Sequence, residues 1–313
     1  MKTIPVSVVI PTMNRPVPLV RMIESLLAST LVPEEFVIVD GSVDQQSVNA
    51  VNTLFGKLAG EPRVIMQAAT RLGAASQRNQ AMALARHDMI LFCDDDIIAE
   101  PDCVASLWKA MQDDASLGGA SAAIVNQSYK RPGALMRRAI AVLGEPEGET
   151  YAGRIVGPAI AFLPDVSARD VMPVQWLNLG CTLYRRRLLP DPSFDQVFEG
   201  YSIGEDISLS LRVAKHARLV NVPAARIYHD SRPGPHKAPS VQLSRMDVVN
   251  RHYIMTAIMD KRGWRDGARF LLWECCQLAI SAIQQRGGAA FWKRLGGSLL
   301  ALRDIMRGRR VPG

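Results

Sequence analysis

Met89-Ile90-Leu91-Phe92-Cys93-Asp94-Asp95-Asp96-Ile97 reads as a buried strand running straight into three carboxylates. Five successive apolar residues without alternation mark a strand covered on both faces, as in a parallel sheet. Toward the amino terminus, residues 6–10, 36–39 and 64–67 have the same character. The segments between them are helical. Residues 16–29 place Leu19, Met22, Ile23, Leu26 and Leu27 at helical spacing, residues 45–58 do so with Val48, Val51, Leu54 and Phe55, and residues 74–85 are rich in alanine. Alternation of strand and helix predicts an α/β fold with a mostly parallel sheet and helices on both faces.

Such sheets bind ligands beyond the carboxyl ends of their strands. That rule singles out four loops, residues 11–15, 40–44, 68–78 and 94–101, each carrying polar side chains where a plain turn needs only Gly or Pro. Further on, residues 101–112 read as helix and 118–125 as strand. Residues 126–165 lose periodicity; with Lys130, Arg131, Glu145, Glu147 and Glu149 among several Gly and Pro, they read as a long surface excursion or lid without assigned structure. Order returns at 176–184, in a helix over 205–215 and in two short strands near 219–222 and 226–228. A polar loop then runs through Pro239, and from Val241 onward the chain reads as helix.

Three adjacent carboxylates repel one another, and a loop tolerates them mainly when a cation or hydrogen-bond donors offset the charge. Their hard oxygens suit Mg²⁺ or Mn²⁺, which in turn bridge diphosphate oxygens. The plain alternative is a solvated acidic turn at the head of the helix from Pro101. A second acidic pair, Glu205-Asp206, opens a helix after Glu199-Gly200-Tyr201-Ser202-Ile203-Gly204, where acids also serve simply as dipole complements. Before it, the run from Trp176 through Gly180 to Arg186 sets an apolar strand behind a glycine-containing loop, a floor for an acceptor sugar.

Taken in order, five motifs resemble family 2 glycosyltransferases. They are Val6-Ser7-Val8-Val9-Ile10-Pro11-Thr12-Met13-Asn14-Arg15, Val39-Asp40-Gly41-Ser42, Arg78-Asn79, Asp94 to Asp96, and Gly204-Glu205-Asp206 followed by Leu209-Ser210-Leu211-Arg212. The resemblance spans residues 5–229. It implies a GT-A fold and an inverting transfer of sugar from a nucleotide-sugar donor to a saccharide acceptor hydroxyl, with Mn²⁺ or Mg²⁺ as cofactor. It places Thr12 and Asp40 at the nucleotide base and ribose, Arg71 or Arg78 near the base or diphosphate, and Pro11, Asn14, Arg15, Asp94 and Asp95 on the donor. Asp94 and Asp96 match the metal-binding DxD pattern, and His229 matches the histidine that completes the metal site, with His216 and His236 as competitors. Asp206 matches the catalytic base, Glu205 orients it or touches the acceptor, and Trp176 and Gly180 line the acceptor side. Where the family usually reads Asp-Asp-Gly-Ser, this turn is one residue shorter. The implied layout is a catalytic domain over 1–240, with a nucleotide-sugar half at 1–125 and an acceptor half at 166–240, and a helical extension over 241–313.

Composition narrows the rivals. The formal charge of +7 lies mostly beyond residue 264, where Arg265, Arg269, Arg286, Lys293, Arg294, Arg303, Arg307, Arg309 and Arg310 face only Asp266, Glu274 and Asp304. The rest is near neutral and lacks interleaved basic and aromatic residues, which argues against nucleic acid. Five cysteines without CxxC spacing, and no signal-peptide pattern over residues 1–10, predict reduced thiols and a cytoplasmic setting. Residues 289–310 mix apolar and basic side chains as an interfacial helix does, predicting peripheral contact with the inner face of the cell membrane and a lipid-linked acceptor; packing on protein is the alternative. A nucleotidyltransferase would need glycines after the first strand, and a dehydrogenase would need GxGxxG there; residues 11–15 contain no glycine. An inactive nucleotide- or saccharide-binding module is the remaining rival, and the intact acidic motifs weigh against it.

Overall fold

The computed structural model describes residues 2–58, 62–127, 129–143, 150–198, 200–230, 240–284 and 288–308, the Leu135 side chain aside. Glu145, Glu147, Glu149, Glu199, His236, Arg286, Arg309, Arg310 and the polar loop 231–239 lie outside them.

The first half follows the alternation read from the sequence. Strands β1 (Thr3–Thr12), β2 (Val32–Asp40), β3 (Arg63–Ala68) and β4 (Met89–Cys93) alternate with helices α1 (Pro16–Leu27), α2 (Gln46–Phe55) and α3 (Ala74–Leu84). The four strands are parallel, and β1 and β2 end in register, Thr12 opposite Asp40. Odd and even residues part to opposite cores. Val8, Ile10, Phe36, Ile38 and Leu91 pack with Leu19, Met22, Val51 and Phe55 on one face, while Val9, Val37, Val39, Ile90 and Phe92 pack with Ala75, Ala81 and Met82 on the other. That division makes the strands uniformly apolar.

The second half departs from simple alternation. After β5 (Ile97–Ala99), α4 (Cys103–Asp113) and β6 (Leu117–Ile124), the excursion contains a helix, α5 (Ala134–Val142), and a hairpin, β7 (Ile155–Val156) with β8 (Ile160–Ala161). Ile140, Tyr151 and Val156 give this region its own small apolar cluster, a local order that the aperiodic sequence hides. The chain continues through β9 (Met172–Val174) and returns as β10 (Cys181–Arg185), antiparallel between β4 and β6. The nine-stranded sheet runs β3-β2-β1-β4-β10-β6-β11-β5, with β9 also on β11. Inserting β10 there sets Gly180 beside the acidic loop, where the Asp94 N–H donates to the Gly180 carbonyl at 3.2 Å.

Following α6 (Glu205–Ala214), the two short strands expected near residues 219–228 form one strand, β11 (Arg218–His229), with a register shift between Val222 and Arg226. Pro223 lies within the shift and has no N–H to donate to a ladder. Beyond the shift β11 runs antiparallel to β5 and sets His229 opposite Ile97, one residue from Asp96.

The carboxyl-terminal extension comprises α7 (Val241–Tyr253), a π-helical turn (Ile254–Ile258), α8 (Trp264–Gln284) and α9 (Ala289–Met306), broken around residues 259–263 where the sequence reading ran helix throughout. Ser240 caps α7 by accepting from the Leu243 N–H at 3.0 Å. A Cβ on Gly297 would lie 2.5 Å from the Ser244 Cβ, so this glycine lets α9 press against α7. The extension also grips the core: Asn250 Nδ2 donates to the Ile203 carbonyl at 2.9 Å, and Ile254 joins the cluster containing Leu209 and Val213.

Candidate active site

The site lies where β1, β2 and β4 end and α6 begins. Arg15 follows β1 and reaches across to the acidic loop, with Nη1 2.8 Å from Asp95 Oδ1 and Nη2 3.0 Å from Asp96 Oδ2. Thr12 Oγ1 donates to the other Asp95 oxygen at 2.7 Å. Asp95 is therefore a buried inward-facing anchor. Burial lifts its carboxyl to about 7 even though Arg15 and Thr12 pull the other way.

Asp96 behaves in the opposite sense. Burial opposes its ionisation, but the hydrogen bond and charge of His229, joined by Arg15, outweigh that and hold it at about 2. His229 Nε2 lies 2.9 Å from Asp96 Oδ1, and its Nδ1 is 3.3 Å from Gln127 Nε2. Asn126 exchanges two hydrogen bonds with the His229 backbone and so fixes the strand end. Among the described residues, Asp94, Asp96 and His229 form a group whose ligand atoms all lie within 4.8 Å of one another. Two carboxylates and an imidazole are a donor set suited to Mn²⁺ or Mg²⁺, so these residues fit a divalent ion.

Arg78 joins this loop to α6. Its buried guanidinium donates through Nη2 to Asp94 Oδ1 at 2.6 Å and through Nη1 to Glu205 Oε1, and lies 5.8 Å from the Phe194 ring centroid. Burial opposes its charge, yet Glu205 and Asp94 more than compensate and raise its pKa. Glu205 is itself pushed up to about 7, by burial first and then by Asp206 and Asp94, against the pull of Arg78. Its second oxygen is buried with no hydrogen-bond partner among the described residues. Asp206 is half-buried and raised to about 6, by burial with a contribution from Asp94, while the Ile207 N–H donates to Oδ1 at 2.8 Å and restrains the rise.

The turn before α6 needs special backbone. Gly204 has φ +85°, and a Cβ there would meet Ile254 Cδ1 at 2.8 Å, so glycine alone sets Glu205 and Asp206 at this helix start. The remaining residues singled out from the sequence occupy the periphery. Asp40 Oδ1 accepts from the Ser42 N–H at 2.9 Å, and Ser42 Oγ accepts from the Asn14 N–H at 2.7 Å, tying the ends of β1 and β2 together. Pro11 lies in β1 opposite Val39, and Arg71 lies on the exposed turn before α3. Trp176 is buried, and its indole N–H donates to the Phe162 carbonyl at 2.9 Å. His216 is exposed just beyond α6, so His229 is the described histidine at the acidic loop.

Sequence reasoning missed two residues. Gln77 is buried and donates to the carbonyls of Thr12, at 2.9 Å, and Val39, at 2.8 Å, tying the β1 and β2 ends from below. Its position one residue before Arg78 was the only signal. Tyr201 stands by the acidic loop: burial, then Asp94 and Asp96, raise its hydroxyl pKa.

Comparison with known proteins agrees with this geometry. Residues 7–154 match the family model described as Glycosyl transferase family 2. Among curated proteins, the chain is 27% identical over 248 residues to the uncharacterized glycosyltransferase YwdF of Bacillus subtilis (strain 168), covering 79% of this chain and 82% of that one. It is 29% identical over 224 residues to validoxylamine A glucosyltransferase of Streptomyces hygroscopicus subsp. limoneus, covering 67% of this chain but only 48% of that one, about half its length. Among solved structures, the mannosyltransferase PcManGT from Pyrobaculum calidifontis, in complex with GDP-Man and Mn²⁺, superposes with a TM-score of 0.54 at 17% identity, over 97% of this chain and 82% of that one. That last likeness speaks to the fold. Motifs in order, sheet topology and relatives converge: residues 7–154 are similar to family 2 of the glycosyltransferases, and the chain has the GT-A fold.

Proposed function

We propose that this glycosyltransferase is an inverting, metal-dependent enzyme that transfers a sugar from a nucleotide-sugar donor to a saccharide hydroxyl, free or carried on a lipid, in polysaccharide or glycoconjugate synthesis. The observation that carries the proposal is the Arg78 bridge. One guanidinium holds Asp94 and Glu205, 111 positions apart in the chain, at one rim of the sheet with Asp206 beside them.

In this reading residues 1–125 bind the donor and residues 166–240 the acceptor, with 241–313 as a helical extension. Thr12, Asn14 and Asp40 lie toward the nucleoside, while Arg15, Arg71 and Arg78 supply positive charge toward the diphosphate. Asp94, Asp96 and His229 would hold the divalent ion, which supplies Lewis-acid neutralisation of the departing diphosphate. Asp206 takes the proton of the acceptor hydroxyl as that oxygen attacks the anomeric carbon from the face opposite the leaving group. A carboxyl raised to about 6 is still largely ionised at neutral pH and more basic than an ordinary aspartate, which suits that role. The unpartnered Glu205 oxygen faces the same need: a hydrogen bond from an acceptor hydroxyl would satisfy it. No covalent nucleophile is required, so one displacement inverts the anomeric centre. The proposed location is the cytoplasmic side of the cell membrane, at its surface.

A thermal-shift screen of UDP-, GDP- and dTDP-sugars with and without Mn²⁺ tests the proposal, because a ligand confined to the folded state raises apparent stability. One base should stabilise the chain only with metal, and NMR of the product should show the inverted anomer. Retention of configuration would refute the single displacement.

A further inference from the structure

Helix α8 buries Phe270 and Trp273 on its inner face, yet it also carries an apolar stripe outward. Between Arg265 and Gln284, its exposed residues are Ala268, Leu271, Leu272, Cys275, Ala279 and Ile283, none of them charged. Their spacing of three, one, three, four and four positions keeps them on one face of a regular helix, and Trp264, 79% exposed like Ile283, begins that face. Two polar side chains lie inward beside Phe270 and Trp273. Glu274 is 2% exposed and paired with Arg251 at 3.0 Å, and Ser281 is buried as well. The second Glu274 oxygen, Ser281 Oγ and the Trp273 indole N–H have no hydrogen-bond partner among the described residues. A helix serving only to cover the core would carry polar side chains along that outer stripe.

Charge identifies what the outward face meets. Arg265 on α8 and Lys293, Arg303 and Arg307 at or next to α9 are exposed, whereas Glu274 and Asp304 are buried and Asp266 is largely covered. Trp292 and Leu299 add exposed apolar surface to α9. Two copies joined through these helices would bring like charges together, whereas an anionic lipid surface complements both the charge and the apolar stripe. No helix among the described residues is long and apolar enough to cross a membrane. With 21 residues, α8 is about 30 Å long and suits the plane of the interface.

The geometry points to the outward face of α8, together with the exposed basic residues of the neighbouring α9, as a docking surface for an anionic phospholipid bilayer. The inference builds on the peripheral location proposed above and commits it to one helix face that lies apart from the acidic loop. Vesicle flotation of the full chain tests it, using phosphatidylcholine with a third of phosphatidylglycerol against phosphatidylcholine alone. The chain should float with the mixed vesicles and not with the neutral ones. Leu271→Glu combined with Leu272→Glu should weaken partitioning about tenfold or more. Lys293→Glu and Arg303→Glu should each cost about fivefold, or more for the reversed charge. Because all four replaced side chains are exposed, melting curves should stay near wild type, and Mn²⁺-dependent hydrolysis of a soluble donor should persist. Persistent hydrolysis separates loss of docking from failure of the transferase chemistry. Absence of flotation at low salt would overturn the inference. A wild-type dimer in sedimentation that Leu271→Glu with Leu272→Glu converts to monomer, without vesicle binding by either form, would reassign the face to a second copy of the chain.

Discussion

Arg78→Met should be among the most damaging single substitutions in this chain, and its cost can be worked from three side chains. Arg78 is 4% exposed in its side chain, Glu205 10% and Asp94 31%. The Asp94 pair is open enough to solvent that its loss counts for roughly 1 kcal/mol or less. Glu205 is different, because removing the cation leaves a buried carboxylate, a change that typically costs about 3–5 kcal/mol. Neutralisation limits the damage. With Arg78 present the Glu205 carboxyl already sits at about 7, and without it the carboxyl moves higher and carries a proton at neutral pH. The expected loss is therefore near the lower end, about 3 kcal/mol. Linkage gives the sign with pH: a carboxyl whose folded pKa is raised gives stability that is complete below about 4.5 and is lost as pH climbs through the folded value. The Arg78→Met penalty should thus be small in acid and grow from pH 5 toward pH 8. Urea unfolding followed by circular dichroism measures it, and Glu205→Gln in the Arg78→Met background should recover part of the loss. A penalty below about 1 kcal/mol at neutral pH, or one that the second substitution deepens, would refute the reasoning.

Asp206→Asn should lower turnover by about 10²- to 10⁴-fold while leaving the melting temperature close to wild type, read by a coupled nucleotide-release assay. With Asp206 raised to about 6 and in the proposed role of base, turnover over substrate-stable pH should rise along a limb with an apparent pKa near 6, flattening above it. Glu205 is close enough to share that titration, so the limb belongs to the pair. Gln77→Leu should cost about 2–4 kcal/mol in urea unfolding, because the Thr12 and Val39 carbonyls both lose a buried donor.

How far the fold could be read from the sequence depended on the range of the interactions that fix it. β4 was placed to the residue because a run of five apolar side chains needs no partner to be recognised as a doubly covered strand. β10 was legible as an apolar strand, but its antiparallel place between β4 and β6 was not, since pairing across the excursion is a property of the assembled sheet. The gap between residues 222 and 226 likewise read as a boundary between two strands and proved to be a shift within one. At the site, family motifs named Asp94, Asp96, Arg78, Glu205 and Asp206, but not the bonds joining them. That Asp95 turns inward to Thr12 and Arg15 while its neighbours face His229 and Arg78 depends on loop geometry that three identical letters cannot encode. The outward apolar stripe of α8 escaped the sequence because it shows only once the buried side is known.

The central claim is that the acidic loop binds donor through metal while Asp206 acts on the acceptor, two tasks at one rim. Isothermal titration of the nucleotide sugar found by thermal shift, with and without Mn²⁺, into wild type, Asp96→Asn and Asp206→Asn tests it most directly when each titration is paired with a turnover measurement. The account predicts that Asp206→Asn keeps Mn²⁺-dependent donor affinity and loses turnover, whereas Asp96→Asn loses the metal-dependent part of the affinity. Wild-type turnover in Asp206→Asn, or unchanged Mn²⁺ dependence in Asp96→Asn, would contradict it.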